Sequence, residues 1–186
     1  MTTKNAWARA LLALLLCALA TANAAPPATK RYTLPQHGTL EIAVPADWQD
    51  ELRPAPDPKL PPTIAFHARQ GAPFEILVTP MWPTGANVPA ATRDSIRQSV
   101  QRAADEAKRD AAESTLALQE LAGSSGPGFY FSATDRAPKP GEYKYLTQGM
   151  VKTGELLLTF TILTNDGQAD VVRNALAALR GATQAR

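Results

Sequence analysis

Few side chains in this 186-residue chain are of the types that do covalent chemistry, and their spacing limits what they can do. Two histidines, His37 and His67, are the candidate metal ligands or general bases. Zinc draws three or four ligands from His, Cys and carboxylates. Neither histidine sits in an HExxH pattern, so no metal centre is expected. Ser124 and Ser125 lie in Gly123-Ser124-Ser125-Gly126-Pro127, where Pro127 stands in place of the second glycine of a nucleophile elbow; the segment reads as a turn. No glycine-rich phosphate loop is present and no calcium loop of the DxDxDG kind. Asp105 and Glu106 could supply the two carboxylates of a glycosidase, but they fall on a charged helical face that reads as solvated. No catalytic residue, metal ligand or cofactor is therefore expected.

The one cysteine, Cys17, belongs to a different signal. Lys4 and Arg9 precede an uncharged apolar run from Ala10 to Ala20, and Ala22-Asn23-Ala24 closes it with a small-x-small pattern. This reads as a secretory leader over residues 1–24, cleaved after Ala24. The apolar run falls short of the ~20 residues that span a bilayer, so no transmembrane anchor is expected. Leu16 precedes Cys17 where lipoprotein processing needs a small residue, so Cys17 is read as part of the discarded run. The exported chain then has no cysteine, which removes thiol catalysis and disulfides. Of 19 Lys and Arg residues, the leader takes two, leaving 17 against 17 Asp and Glu. A balanced charge gives no support for a nucleic-acid partner or an anionic membrane surface. A periplasmic, soluble location is expected.

The aromatics are better candidates for function. Trp48 and Trp82 follow proline-bearing turns, Pro80-Met81-Trp82-Pro83 is a compact cluster, and Tyr143 and Tyr145 share one strand face. Trp48, Trp82, Tyr143 and Tyr145 form the candidate partner surface, since tryptophan and tyrosine anchor binding hot spots; the alternative is core packing.

The elements that must position these residues follow from periodicity. Residues 25–37 read as a flexible start, with Pro26, Pro27, Lys30 and Arg31. Leu40, Ile42 and Val44 alternate along a half-buried strand stopped by Pro45, and Asp47-Trp48 follows in a turn or short helix. Residues 54–62 are proline-rich and read as a stiff loop. Residues 63–68 and 74–79 form a hairpin around Gly71. Residues 90–112 form a helix with a small apolar face of Ile96, Val100, Ala103, Ala107 and Ala111, which argues for close packing rather than a cavity. Its other face allows pairs Arg102–Glu106, Asp105–Arg109 and Arg109–Glu113. Residues 115–121 and 129–134 are strands, and residues 143–151 and 156–164 a long hairpin. Leu156, Leu158, Phe160 and Ile162 on one face, with Leu157 and Leu163 on the other, mark a central strand covered on both sides. Asn165 with Gln168 reads as a capping box opening a last helix, with Val172, Ala175, Leu176 and Leu179 as its apolar stripe and Gly181 as its stop. The expected architecture is a single α+β domain over residues 38–183: an α/β/α sandwich with a central, mainly antiparallel sheet and two amphipathic helices.

Gly38-Thr39-Leu40 leading into Ile42-Ala43-Val44-Pro45 and then Asp47-Trp48, together with the closing hairpin and final helix, resembles the PsbP-like fold, which includes the extrinsic P protein of photosystem II and bacterial periplasmic DcrB-like proteins. The resemblance spans Thr39 to Thr183. It implies an α/β/α sandwich and an accessory or binding role without chemistry. The expected function is thus an exported accessory or protein-binding module with an envelope protein as partner. The competing readings are a periplasmic hydrolase, which requires the fold to bring His37 or His67 to a serine or carboxylate in a pocket, and a small-ligand or lipid carrier with a cavity between sheet and helix.

Overall fold

The computed structural model describes residues 26–57, 60–82 and 91–186. The leader, with Cys17 and the cleavage position at Ala24, lies outside the described residues, as do residues 83–90, among them Pro83 of the Pro80-Met81-Trp82-Pro83 cluster. Two antiparallel sheets and two helices make up the α+β fold. The larger sheet contains β3 (Trp48–Arg53), β4 (Thr63–Ala68), β5 (Glu75–Met81), β6 (Gln119–Glu120), β7 (Gly128–Thr134), β8 (Tyr145–Thr153) and β9 (Leu156–Thr164) in the order β3-β4-β5-β9-β8-β7-β6. The smaller contains β1 (Ala28–Leu34), β2 (Gly38–Val44) and β10 (Thr183–Ala185) in the order β1-β2-β10. The helices are α1 (Arg93–Ala107) and α2 (Ala169–Gly181).

Alternation along β9 explains the layering. Leu156, Leu158, Phe160 and Ile162 are buried on one face, in the larger core with α2 and the small sheet. Leu157 packs on the other face, in a second core with Ile96, Val100 and Ala104 of α1 and Phe129 and Phe131 of β7. β9 is the middle strand of seven, as its two apolar faces require. The small residues of α1 let it lie close on β7 and β8.

Four local expectations are corrected. Much of the stretch read as a flexible start is strand: β1 pairs along the whole of β2, and Tyr32 and Leu34 enter the core. The prolines and basic residues before them mask an alternation in which only every second residue turns inward. Trp48 opens a strand rather than a turn or short helix. β3 is missed because it lies at a sheet edge, where charged Asp50, Glu51 and Arg53 are tolerated and discourage pairing with other chains. The first helix is shorter than the expected 90–112. Thr92 caps it through Ser95, and beyond Ala107 the chain is drawn to the end of β7, where Ala112 N–H donates to the Thr134 carbonyl at 2.8 Å and the Glu113 carboxylate accepts from Thr134 N–H and Oγ1. Glu113 is thus spent on β7 rather than on Arg109, and Asp105 accepts from Gln101 instead. Of the expected strand 115–121, only Gln119 and Glu120 pair.

The opening of α2 is corrected too. Asn165 N–H donates to Gln168 Oε1 at 2.7 Å, so half of the capping box forms. The Asn165 side chain, however, accepts from Lys144 N–H, and the helix starts one turn later with Gln168 at its cap. Gln168 Nε2 donates to the Ala72 and Pro73 carbonyls, 3.1 Å each, and ties the start of α2 to the β4–β5 hairpin.

The two sheets are pinned by Asp50, which accepts from Tyr32 Oη at 2.8 Å and pairs with Lys30 Nζ at 2.9 Å. Burial pushes the Asp50 carboxyl up, but the hydrogen bonds from Lys30 and Tyr32 outweigh it and hold the group below the usual carboxylate range. A depressed folded-state pKa stabilises the fold above the unfolded value of ~3.9 and that contribution disappears as pH falls through the folded value. Asp50→Asn is therefore expected to lower stability at pH 7 by up to ~1 kcal/mol, with the gap closing as pH falls below the usual carboxylate range. Urea midpoints at pH 7 and across the acid range check it.

Thr153, fully buried at the end of β8, carries a hydroxyl without a partner among the described residues. A buried unsatisfied hydroxyl costs about 1–3 kcal/mol. Thr153→Val keeps the shape and is expected to raise the melting temperature; a lower one would show that the hydroxyl is satisfied.

Candidate functional site

The four aromatic candidates do not form one surface. Trp48 is a core residue, 4% exposed, with its ring centroid 5.0 Å from Phe74 and 6.3 Å from Phe66. Tyr145 opens β8 at the same end of the larger sheet as Trp48, several strands away, pairing with Thr164, while the Trp48 partner Ala68 follows His67, which pairs with Glu75; Tyr143 precedes β8 and does not share its strand face, because pairing with β9 begins only at Tyr145. Tyr145 Oη donates to Asp166 at 2.6 Å, and Lys144 Nζ reaches both Asp166 oxygens. These bonds, Tyr145 first, hold the Asp166 carboxyl below its ordinary value. Burial, and then the charge of Glu75, raises the Tyr143 phenol. Trp82 lies beyond β5 at the opposite end, its indole stacked on His37 at a centroid distance of 4.4 Å.

Neither histidine meets the hydrolase requirement. His37 is stacked on Trp82, and its backbone carbonyl accepts from Gln184 Nε2 at 2.7 Å. His67 Nε2 stands 3.2 Å from Arg53 Nη2 and 3.9 Å from Glu51. Arg53 only donates, so His67 Nε2 is the accepting atom of that contact. Arg53 is itself held by Glu51 at 3.0 Å and Glu75 at 2.8 Å, which makes this an edge ion cluster. Ser124 Oγ donates to the Ala182 carbonyl at 2.6 Å, and Ser125 Oγ accepts from Gly154 N–H. Both serines staple the 123–128 turn to its neighbours, as the turn reading requires. Among the described residues no group of three or more His, Cys, Asp and Glu is placed to hold a metal ion. None of the described helices is long and apolar enough to cross a membrane.

A groove of about 800 Å³ lies beside α2. One wall is a stripe of that helix: Asp170, Val171, Asn174, Ala177, Ala178 and Gly181. The other wall is built from Pro27 ahead of β1, Ala43 and Pro45 at the end of β2, Asp47 and Trp48 at the start of β3, Ala68, and Phe74 ahead of β5. The stripe is the flank of α2, adjacent to the face that enters the core through Ala175 and Leu179. Its small side chains leave the space open. The periodicity of α2 is legible in the sequence, but nothing there shows that β2, β3 and the β4–β5 hairpin end opposite it. A far smaller hollow, about 190 Å³, lies between α1 and the larger sheet, over Thr63, Thr79, Thr159 and Thr161.

No family model matches this chain. No curated protein matches it either. Among solved structures it bears a weak resemblance to the solution structure of cyanobacterial PsbP (CyanoP) from Synechocystis sp. PCC 6803, at 12% identity over 84% of this chain and 92% of that one, with a TM-score of 0.47.

Proposed function

We propose that the protein is an extracytoplasmic accessory module that holds a partner protein of the cell envelope in the α2 groove and performs no chemistry of its own. The observation that carries this reading is the groove: it falls within the roughly 300–1,000 Å³ of ligand sites and is walled mostly by apolar groups with a few polar ones at its rim. The leader read from residues 1–24 supports the compartment. The bonding of His37, His67, Ser124 and Ser125 into structural contacts supports a binding rather than a hydrolytic role.

Filling the groove tests the reading. Ala177 lines it yet is exposed, so Ala177→Trp adds bulk without entering the core. Affinity capture from an envelope fraction, with protein and variant side by side, is expected to lose at least tenfold of the specific partner while the melting temperature moves by less than ~3 °C. Equal recovery of the same proteins by both would overturn the assignment of the groove.

A further inference from the structure

The shape and charge of the groove point to what it holds, on the premise of the binding role above. We infer that it takes an extended, mainly apolar segment of a partner polypeptide, about six residues long, with a lysine or arginine at the end lying over Asp47 and Asp170.

Length comes from α2. Its 13 residues rise about 20 Å at 1.5 Å each, and the groove runs along it from Gln168 to Gly181. An extended chain at ~3.3 Å per residue covers that distance in about six residues. Charge comes from the lining. Among the described lining residues Asp47 and Asp170 are the only ionised side chains, and both are acidic. They fall at the same end: Asp47 precedes Trp48, which packs on Phe74, and Asp170 follows Gln168, which is bonded to Pro73 beside that same Phe74. Asp47 makes no ion pair among the described residues, whereas Asp170 is paired with Arg173 at 2.7 Å. Arg69 lies near Asp47, its backbone N–H donating to the Asp47 carbonyl, but it forms no ion pair with either acid among the described residues. The rest of the described lining is apolar, with Trp48, Phe74 and Val171 among alanine, proline and glycine, apart from the amides of Gln70 and Asn174 and that of Gln168, which is already bonded to Asn165, Ala72 and Pro73. The Gln70 and Asn174 amides match the N–H and C=O groups of a peptide backbone and offer nothing to a hydrocarbon chain. The acids therefore set the direction of the segment as well as its composition.

Fluorescence anisotropy with labelled, blocked hexapeptides tests this. The probes are Lys-Val-Ala-Leu-Ala-Leu and its counterpart with Glu in place of Lys, with dodecylamine as competitor. The lysine peptide is expected to bind about tenfold more tightly than the glutamate peptide at low salt, with the difference shrinking as ionic strength rises. The double substitution Asp47→Asn with Asp170→Asn should erase that preference, and Ala177→Trp should abolish binding of both. Equal affinity for the two peptides, no binding of either, or displacement of the lysine peptide by dodecylamine at equal or lower concentration would overturn the inference. If Ala177→Trp still removes the captured partner while the peptides show no charge preference, the groove keeps its binding role and only the identity of the segment falls.

Discussion

Gly149→Ala is expected to lower stability by about 3 kcal/mol or more, a drop of roughly 6–12 °C in melting temperature for a chain of this size. Gly149 lies in β8, between Tyr130 of β7 and Phe160 of β9. A Cβ there would run into the Phe129 carbonyl oxygen and come within 2.6 Å of Tyr130 Cβ and 2.7 Å of Phe160 Cζ. The carbonyl is backbone and cannot swing aside, so β7 and β8 would have to separate. The Phe160 ring fills the space that a β8 side chain would have taken, so the aromatic compensates for a glycine otherwise poorly suited to a strand interior. A double-mutant cycle with Phe160→Ala isolates that part. The second substitution removes one obstacle and leaves the carbonyl, so the two losses should fall short of additivity by about 0.5–3 kcal/mol. A Gly149→Ala protein that melts within ~2 °C of the parent would show that the strands yield freely.

Trp48→Ala is expected to cost about 3–5 kcal/mol, the range for truncating a large buried aromatic. The indole fills the space between Phe66 and Phe74 and forms part of the groove floor. Its removal leaves a cavity joined to the groove, so urea denaturation should show an earlier midpoint with an unchanged slope. Trp48→Phe retains most of the apolar contact and should recover more than half of the loss. If Trp48→Ala unfolds at the same urea concentration as the parent, the indole is a surface anchor after all and the core assignment fails. Trp82 offers the contrast: only partly buried and stacked on His37, it is expected to tolerate alanine at a cost nearer 1 kcal/mol.

Several elements could be read directly from residue order because their signals are local. The alternation of Leu40, Ile42 and Val44 gives β2, the doubly apolar run from Leu156 gives a central strand, and the small apolar face from Ile96 gives a closely packed helix. The strands that escaped have local signals that tertiary pairing overrides. Half of β3 is charged, and it exists because β4 lies beside it; β10 is three residues long and forms because β2 offers an edge. The candidate aromatics show the same division. Residue type marked Trp48, Trp82, Tyr143 and Tyr145 as notable, but only the fold separates a core indole, a ring stacked on histidine and a phenol bonded to Asp166.

The amino-acid sequence alone determined the class of fold, the periodic faces of its helices and central strand, and an expectation of export built on Lys4, Arg9 and the apolar run before Ala24. Each is a property of neighbouring residues along the chain. Tertiary structure decided where the space is. The α2 groove joins Pro27, Ala43, Asp47, Phe74 and Ala177, residues far apart in the chain and brought together only because the small sheet and α2 share one face of the larger sheet. Cavities and charge clusters are made by packing of distant segments, so no pattern of adjacent residues could place Asp47 and Asp170 at one end of the same groove.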